Sequence, residues 1–256
     1  MISVESLGKV YKSVRGDIQA LSDINLTIDS GEFVSVVGPS GCGKSTFLRC
    51  LAGLENSTSG RVFFNNRVIE KPPSELGIVF QRDVLLDWRS VTDNVLMPLE
   101  FRGTRNAGSH ARSLELLNLY GLGTYENRYP WELSGGMRQR VAICRAMITN
   151  PQLLLMDEPF GALDAFTRDE LNLELQKLSL GSETTVVFVT HSIPEAVFLS
   201  DRVIVMAGAP GRVVLDLRVD LPRPRALSIR DTPDFVALSA EIRQVFERLG
   251  LLRRST

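Results

Sequence analysis

A glycine-rich loop with a lysine and two hydroxyl residues carries the clearest chemistry in this sequence. Its spacing is that of a phosphate-binding loop, with Gly38 and Gly43 separated by four residues and followed by Lys44 and Ser45. A β-branched apolar segment precedes the loop and a helical apolar pattern follows it. The predicted triphosphate-binding residues are Gly38, Pro39, Ser40, Gly41, Cys42, Gly43, Lys44, Ser45 and Thr46.

The residue types in this loop suit a bound phosphate chain. Glycine allows positive φ and a close backbone approach, so that successive N–H groups can surround phosphate oxygens at a helix N-terminus. Lys44 would reach the β- and γ-phosphates and the Ser45 hydroxyl would ligate Mg²⁺. The alternative is a glycine-rich turn with an incidental lysine, which the strand before and the helix after the loop disfavour. We therefore expect this chain to bind a nucleoside triphosphate.

Two adjacent carboxylates follow an apolar strand pattern at Leu153–Met156. Asp157 suits a contact with Mg²⁺, either direct or in the second coordination sphere, and Glu158 suits a general base that polarises an attacking water. The alternative is a surface acidic pair at a strand end, which would not need so apolar a strand before it. The pair predicts hydrolysis at the bound phosphates.

A serine and two glycines open a second helical pattern at Leu133–Met137. Ser134, Gly135 and Gly136 would form another anion-binding helix terminus with free N–H groups and a hydroxyl. A plain N-cap is an equally acceptable interpretation of this stretch taken alone. Because one nucleotide seldom needs two such sites in one chain, the economical explanation is that this one serves a nucleotide held by another subunit.

Composition and charge narrow the class of protein. The chain has 256 residues, 44% of them apolar and 23% charged, and a formal net charge of −1, so nothing indicates a nucleic-acid partner. Its three cysteines lack metal-ligand spacing, and reduced thiols are expected. No apolar run has the length of a membrane span, and the first residues lack a signal-peptide pattern. The expectation is a soluble cytoplasmic protein.

The order of elements predicts an α/β fold. Short strands over residues 1–37 suggest an antiparallel β subdomain, and a hairpin is predicted to turn at Asn65 and Asn66. Residues 82–150 read as an inserted helical subdomain. Strand–helix–strand patterns at 153–156, 166–180 and 185–190 indicate a mainly parallel sheet. A final helix is expected to carry one apolar face made of Phe235, Leu238, Ile242, Val245 and Leu249.

These motifs, in this order, resemble the ATP-binding cassette subunit of an ABC transporter from the N-terminus to about Leu221. The resemblance implies a P-loop NTPase core in a cassette domain of residues 1–221, followed by a C-terminal helical extension of residues 222–256. It also implies that Tyr11 stacks on adenine and that Gln81 senses Mg²⁺ and the attacking water. It further assigns Asp164 to the loop that faces the partner's ATP, and His191 to a contact with the γ-phosphate.

The resemblance implies a set of partners and a location. It predicts a head-to-tail homodimer that sandwiches two ATP with Mg²⁺. It also predicts integral-membrane permease subunits, an external substrate-binding protein, and attachment to the cytoplasmic face of the membrane through the permease. The stretch Leu85–Arg89 is similar to importers of nitrate, sulfonates, taurine and thiamine-pyrimidine precursors, although the chain departs from that branch at Asp87 and Ser192. Trp88 is expected to contact the permease, the alternative being burial within the helical subdomain.

Two other functions remain to be weighed against an importer ATPase. A soluble cassette protein that clamps nucleic acid or ribosomes usually has two cassettes, a long insertion or a basic face, none of which is seen in this sequence. A small-molecule kinase would leave Ser134–Gly136 and His191 without a role.

Overall fold

The computed structural model describes residues 1–14, 16–180 and 183–251, so the end of the expected C-terminal extension, residues 252–256, lies outside the described residues. The strands are β1 Ile2–Tyr11, β2 Ile18–Ile28, β3 Phe33–Val37, β4 Ser59–Phe64, β5 Arg67–Val68, β6 Leu76–Val79, β7 Leu153–Asp157, β8 Thr185–Thr190, β9 Arg202–Ala207 and β10 Arg212–Arg218. The α-helices are α1 Lys44–Leu51, α2 Val91–Phe101, α3 Ser109–Leu119, α4 Gly135–Met147, α5 Ala165–Leu180, α6 Ile193–Leu199 and α7 Pro233–Arg248.

The larger sheet is mainly parallel and has the strand order β10-β9-β3-β8-β7-β6. Strand β3 pairs in parallel with β8 and with β9, so that Val36 lies between Val189 and Ile204. Strands β6, β7 and β8 continue the parallel array, whereas β10 pairs antiparallel at the edge. Parallel strands are usually covered on both faces, and the nearly continuous apolar sequences of β3, β7 and β8 suit such burial. The predicted α/β class with a mainly parallel sheet is confirmed.

A smaller antiparallel sheet with the order β2-β1-β4-β5 forms the N-terminal layer. Its β4–β5 hairpin turns at Asn65 and Asn66, which have φ of 48° and 62°. Two successive positive φ angles are the mark of a tight hairpin turn, and asparagine tolerates them better than most residues. The turn predicted at these two residues is confirmed.

Two apolar cores lie on opposite faces of the parallel sheet, because successive strand residues point to opposite sides. One face of β3, through Val34 and Val36, packs with α1 and the antiparallel sheet. The other face, through Phe33 and Val37, packs with helices α2 to α7. Helix α1 begins at Lys44, three residues before the helical start predicted from the apolar pattern, so Lys44 and Ser45 lie in its first turn.

The segment between β6 and β7 is helical, as the loss of strand patterns after residue 82 predicted, and contains α2, α3 and α4. Within α2, Ser90 caps the N-terminus and Asn94 is fully buried. The Asn94 side chain donates to the carbonyls of Leu86, Arg89 and Ser90 and accepts from Leu86 N–H. The loop that carries Trp88 is therefore tied to α2 by the buried amide of Asn94 and by an ion pair between Arg89 and Glu100.

Helix α7 packs against the main core through Phe235, Ile242, Val245 and Phe246, with Leu238 partly buried. The expectation that Leu249 belongs to the same face is wrong. The helix ends at Arg248, and Leu249 is 48% exposed. Among the helices of the described chain, none combines the length and apolar character needed to cross a lipid bilayer.

Candidate active site

The predicted phosphate-binding loop connects the fully buried strand β3 to α1. Gly41 and Gly43 have φ of 82° and 92°, a backbone region that favours glycine. A Cβ at Gly43 would lie 2.8 Å from the Ala20 carbonyl oxygen, and one at Gly38 would lie 2.2 Å from that of Met206. Glycine is thus required at position 43 by both the loop conformation and the close packing on neighbouring strands, and at position 38 by the close packing alone.

The other loop residues line the same turn. Cys42 is buried, and its desolvation raises the pKa of the thiol, so it is a packing residue and not a reactive group. Pro39 is partly buried, Ser40 is exposed, and Thr46 is partly buried in the first turn of α1. All three cysteines of the chain are free and buried, consistent with the expected reduced thiols.

Lys44 points back into the loop. Its Nζ donates to the carbonyl oxygens of Gly38, at 2.8 Å, and Pro39, at 3.1 Å, and the side chain is 5% exposed. The same Nζ lies 3.7 Å from Glu158 Oε1. A cation held in this way adds positive charge to the concave side of the glycine loop, where the N–H groups of the α1 terminus also gather.

Ser45 and Asp157 form the candidate metal site. The Ser45 hydroxyl donates to Asp157 Oδ1 at 3.0 Å, joining the start of α1 to the end of β7. Burial raises the pKa of the Asp157 carboxyl, with Ser45 opposing the shift. A bound cation would stabilise the charged carboxylate and so lower this pKa again. Across the described residues no group of three or more His, Cys, Asp or Glu side chains could hold a metal.

This pair of hard oxygens fits Mg²⁺. Magnesium commonly binds to one or two protein oxygens and takes its other ligands from water and substrate phosphate. The predicted third metal residue, Gln81, has its side-chain hydrogen bond with Glu158.

Glu158 is the point on which the predicted catalytic residues converge. Gln81 Nε2 donates to Glu158 Oε2 at 3.5 Å, and His191 Nδ1 lies 3.4 Å from the same oxygen. Glu158 has φ of 44°, uncommon for a residue with a side chain, and its N–H donates to the Val189 carbonyl. Strained backbone of this kind is found disproportionately at functional sites. The ends of β6, β7 and β8 thus bring Gln81, Glu158 and His191 together.

The serine and two glycines at 134–136 lie apart from this cluster. Ser134 is exposed and caps α4, accepting from Met137 N–H at 3.3 Å. Within the described residues, no hydrogen bond or ion pair joins positions 134–136 to the phosphate-binding loop. Gly135 is open, whereas Gly136 is buried and packs against Thr167 of α5. Ser134 therefore caps α4, and the predicted role of this exposed terminus toward another subunit's nucleotide stays a prediction.

Asp164 lies just before α5 and caps it, accepting from the N–H and the hydroxyl of Thr167. These hydrogen bonds lower the pKa of the Asp164 carboxyl, which is exposed. Because Thr167 also packs on Gly136, Asp164 and the α4 terminus belong to one surface.

Tyr11 ends β1 at the rim of the antiparallel sheet, partly exposed, opposite Ile18. The Lys9 ammonium lies 4.9 Å from the centre of its ring. A partly exposed aromatic face is compatible with stacking on a base. The adenine contact stays a prediction.

Sequence reasoning missed two arginines of α4 that hold the segment after Gln81. Arg145 is 8% exposed and donates to the carbonyls of Asp83 and Val84, at 2.6 and 2.7 Å. Arg138 forms an ion pair with Asp83 at 3.0 Å. Helix α4 thus joins its exposed terminus at Ser134 to the segment that starts at Gln81. An arginine within the apolar run of α4 was the one sequence signal for this contact.

A buried network behind His191 was also missed. Glu195 is 4% exposed, and one of its carboxylate oxygens accepts from the Thr190 hydroxyl. Thr190 Oγ1 in turn accepts from Ser192 N–H at 3.1 Å, and Ser192 Oγ accepts from Glu195 N–H. The residues on either side of His191 are therefore fixed to the start of α6.

Comparison with known proteins shows the family of this chain. The sequence profile described as "ABC transporter" matches residues 21–161, more than half of the chain. The chain belongs to the ABC transporter family. The family, predicted from the order of motifs, is confirmed, and with it the ATP-binding and ATP-hydrolysing character of this ABC cassette.

Two curated relatives share this family across most of their length. A taurine import ATP-binding protein of Rhizobium johnstonii is 45% identical over 241 residues, covering 92% of each chain. An aliphatic sulfonates import ATP-binding protein of Bacillus cereus is 39% identical over 254 residues, covering 99% of each.

Solved ABC cassettes share the fold. A dimeric bacterial ABC transporter cassette superposes with a TM-score of 0.78 at 36% identity, covering 87% of this chain and all of that one. The same cassette in a dimeric post-hydrolysis state with ADP and phosphate gives a TM-score of 0.76 at 35% identity.

Proposed function

We propose that this ABC cassette is the ATP-hydrolysing subunit of an importer for a small solute of the nitrate, sulfonate, taurine or pyrimidine-precursor type. The observation that carries the proposal is the convergence of Lys44, Gln81 and His191 on the Glu158 carboxylate beside the phosphate-binding loop. The taurine and sulfonate import functions named for the relatives support the solute class.

Each residue around the Glu158 carboxylate has a separate role in hydrolysis. Lys44 and the N–H groups of the loop offset negative charge on the phosphates, in a reaction where positioning and charge stabilisation dominate. Glu158 orients the attacking water and accepts its proton. Gln81 and His191, on either side of the same carboxylate oxygen, hold that water in line with the γ-phosphate.

Ser45 and Asp157 are the residues that would hold Mg²⁺, and Gln81 is the third residue predicted for this role. When bound, the ion neutralises charge on the β- and γ-phosphate oxygens. The hydrogen bond of 3.0 Å between the Ser45 hydroxyl and Asp157, which places these two oxygens next to each other, supports this assignment.

We propose that the exposed terminus at Ser134–Gly136, together with Asp164, binds the ATP of a second copy of this chain in a head-to-tail homodimer. The exposure of Ser134 and its separation from the chain's own loop support this arrangement. The solved relatives described as dimeric cassettes support it further.

We propose that the loop that carries Trp88 contacts the permease. Trp88 is 75% exposed, so the alternative of a buried tryptophan is contradicted, and the loop beneath it is fixed by Asn94. Large exposed aromatic side chains are enriched among the residues that dominate interfaces. Gln81 lies upstream on the same segment, which gives a direct route from the permease to the hydrolysis site.

The assignment to an importer also implies domain bounds, a location and further partners. Residues 1–221 would form the cassette domain and residues 222–256 an extension of it. The cassette would lie on the cytoplasmic face of the membrane, held there by the permease, and an external substrate-binding protein would deliver the solute. The near-neutral charge gives no support to a nucleic-acid partner.

The proposal is tested by the molar mass in solution of Glu158→Gln, measured by light scattering with and without Mg·ATP. Loss of the base should lower kcat by about 10²- to 10⁴-fold while ATP still binds. ATP should then convert the monomer to a dimer. Adding Ser134→Arg should keep it monomeric, whereas Ser74→Arg, at another exposed serine, should not. A Glu158→Gln variant with full activity would refute the assigned base, and dimers unaffected by Ser134→Arg would refute the shared site.

A further inference from the structure

The short helix α6 begins two residues after His191 and needs support at its other end. It runs only from Ile193 to Leu199, and the carbonyl groups of its last three residues, from Val197 onward, have no N–H donor within the helix. Short helices are marginal without tertiary contacts. Whatever holds the end of α6 therefore holds the segment that starts at His191.

Arg225, from the segment after β10, supplies most of this support, and Arg223 adds one hydrogen bond to the Leu199 carbonyl. Arg225 Nη1 donates to the carbonyl oxygens of Val197, Phe198 and Ser200 at 2.9, 2.9 and 2.8 Å. Its Nη2 donates to Leu221 at 3.1 Å and more weakly to Val219. A guanidinium at the C-terminal end of a helix also meets the negative end of the helix dipole.

The Arg225 side chain is 2% exposed and, among the described residues, forms no ion pair with a carboxylate. Its charge is balanced mainly by backbone carbonyl groups. Burial of such a charge is costly unless its hydrogen bonds are satisfied. Both terminal nitrogens have acceptors, whereas the buried Nε has no partner among the described residues. Apolar side chains alone could pack the extension onto the core, so this set of hydrogen bonds from Arg225 suggests a further role.

Arg225 also joins α6 to α5. Gln176 of α5 is 3% exposed, donates to the Arg225 carbonyl at 2.8 Å, and accepts from Arg225 N–H. Helix α5 starts immediately after Asp164, and α6 starts just after His191. One buried residue thus connects the two helices whose N-terminal ends carry Asp164 and His191.

We propose that Arg225 is a positioning residue for the hydrolysis reaction, acting through α6 on His191. The C-terminal extension thereby sets the location of His191 relative to Glu158. The network of Thr190, Ser192 and Glu195 makes the first turn of α6 and His191 one unit, so displacement at the Arg225 end is transmitted to the imidazole. This inference rests on the proposed role of His191, and its test separates the two.

The experiment uses the full chain with Arg225→Lys, which keeps the charge but loses the planar set of donors. Because the chain has two histidines, the imidazole signals of His191 and His110 can be told apart in a ¹H–¹³C spectrum with His110→Asn as the assignment variant. His110 is exposed on α3 and serves as the internal reference. Arg248→Ala, at an exposed arginine of the same extension, is the matched control.

We expect Arg225→Lys to shift the His191 signal and leave that of His110 in place. It should lower kcat by about tenfold or more, since small misplacements of a catalytic group cost this much. The Kd for ATP should stay unchanged, because the phosphate-binding loop makes no hydrogen bond to Arg225. Arg248→Ala should change none of these quantities. A merely structural role would lower thermal stability without moving the His191 signal.

Two outcomes would overturn the inference and one would overturn only the role of His191. A folded Arg225→Lys variant with an unshifted His191 signal, or with normal kcat, contradicts positioning by Arg225. If Arg225→Lys does not fold, Gln176→Ala, which loosens Arg225 without removing it, must give the same shift or the inference fails. Full activity in His191→Ala refutes the proposed function of His191, whereas the spectroscopic shift still decides whether Arg225 positions it.

Discussion

At the scale of single residues, the hydrolysis site contains groups whose conformation or burial lowers the stability of the fold. Glu158 holds a left-handed backbone, and Asp157 is a buried carboxylate whose pKa is raised by desolvation. Both features weaken the fold locally. They persist because neighbouring β-strands fix the backbone on either side. Glu195, behind His191, is likewise a buried carboxyl group whose pKa is raised by desolvation.

The free energy of unfolding should vary with pH because of the protonation of Glu195. Burial raises its pKa above the ordinary value of 4.5. The folded state therefore keeps this proton to higher pH than the unfolded state, and the associated stability is lost as pH rises through the folded pKa. We expect Glu195→Gln, which can still accept from Thr190, to gain free energy of unfolding relative to the native chain as pH rises from 4.5 to 8.

Urea denaturation at each pH measures this difference, with Glu241→Gln, at an exposed position of α7, as control. A stability difference that is flat with pH would show that Glu195 is not the group responsible.

At the scale of elements, the contact between α4 and α5 depends on the absence of a side chain at Gly136. A Cβ there would lie 2.6 Å from Thr167 Cγ2. Thr167 cannot rotate away freely because its hydroxyl and N–H both donate to Asp164. The exposed end of α4 and the Asp164 loop are thus held in one fixed relation.

We expect Gly136→Ala to lower the free energy of unfolding by about 1–3 kcal/mol, the usual cost of overpacking. Adding Thr167→Ser should restore most of the loss, because it removes the clashing methyl group and keeps the hydroxyl. Gly135→Ala, whose Cβ would meet nothing closer than 4.0 Å, is the control and should cost much less. Thermal or chemical denaturation measures all four chains, and failure of the serine to rescue would locate the strain elsewhere.

At the scale of the whole molecule, bound nucleotide and metal should add contacts among several separate elements of the fold. The loop after β3, the ends of β6 to β8 and the start of α6 all face one site, so a ligand there contacts elements from both cores. Ligands that bind only the folded state stabilise it in proportion to RT ln(1 + [L]/Kd).

Mg·ATP at about 100 times its Kd should therefore stabilise Glu158→Gln by about 2.7 kcal/mol. For a chain of this size the corresponding rise in Tm is roughly 5–10 °C. EDTA should remove most of the rise, and Lys44→Ala should abolish it. A Tm that responds equally to ATP with and without Mg²⁺ would exclude Ser45 and Asp157 as the metal residues.

The sequence alone determined the fold class and most of the site. The phosphate-binding loop, the paired carboxylates and the helix that opens at Ser134 depend on short, local spacings, because backbone conformation and helix termini demand particular residue types at fixed intervals. Periodicity likewise located the buried strands and the Asn65–Asn66 turn. It failed at Leu249, since a helical stripe does not show where the helix ends.

Only the tertiary structure decided which distant residues meet. Nothing local in the sequence links Arg225 to α6, Arg145 to the segment after Gln81, or Gly136 to Thr167. These contacts join positions tens of residues apart, and their partners are backbone carbonyl groups or a methyl group, which leave no signature in residue type. The distance between a predicted catalytic residue and the group that positions it is set by the packing of whole helices on the parallel sheet.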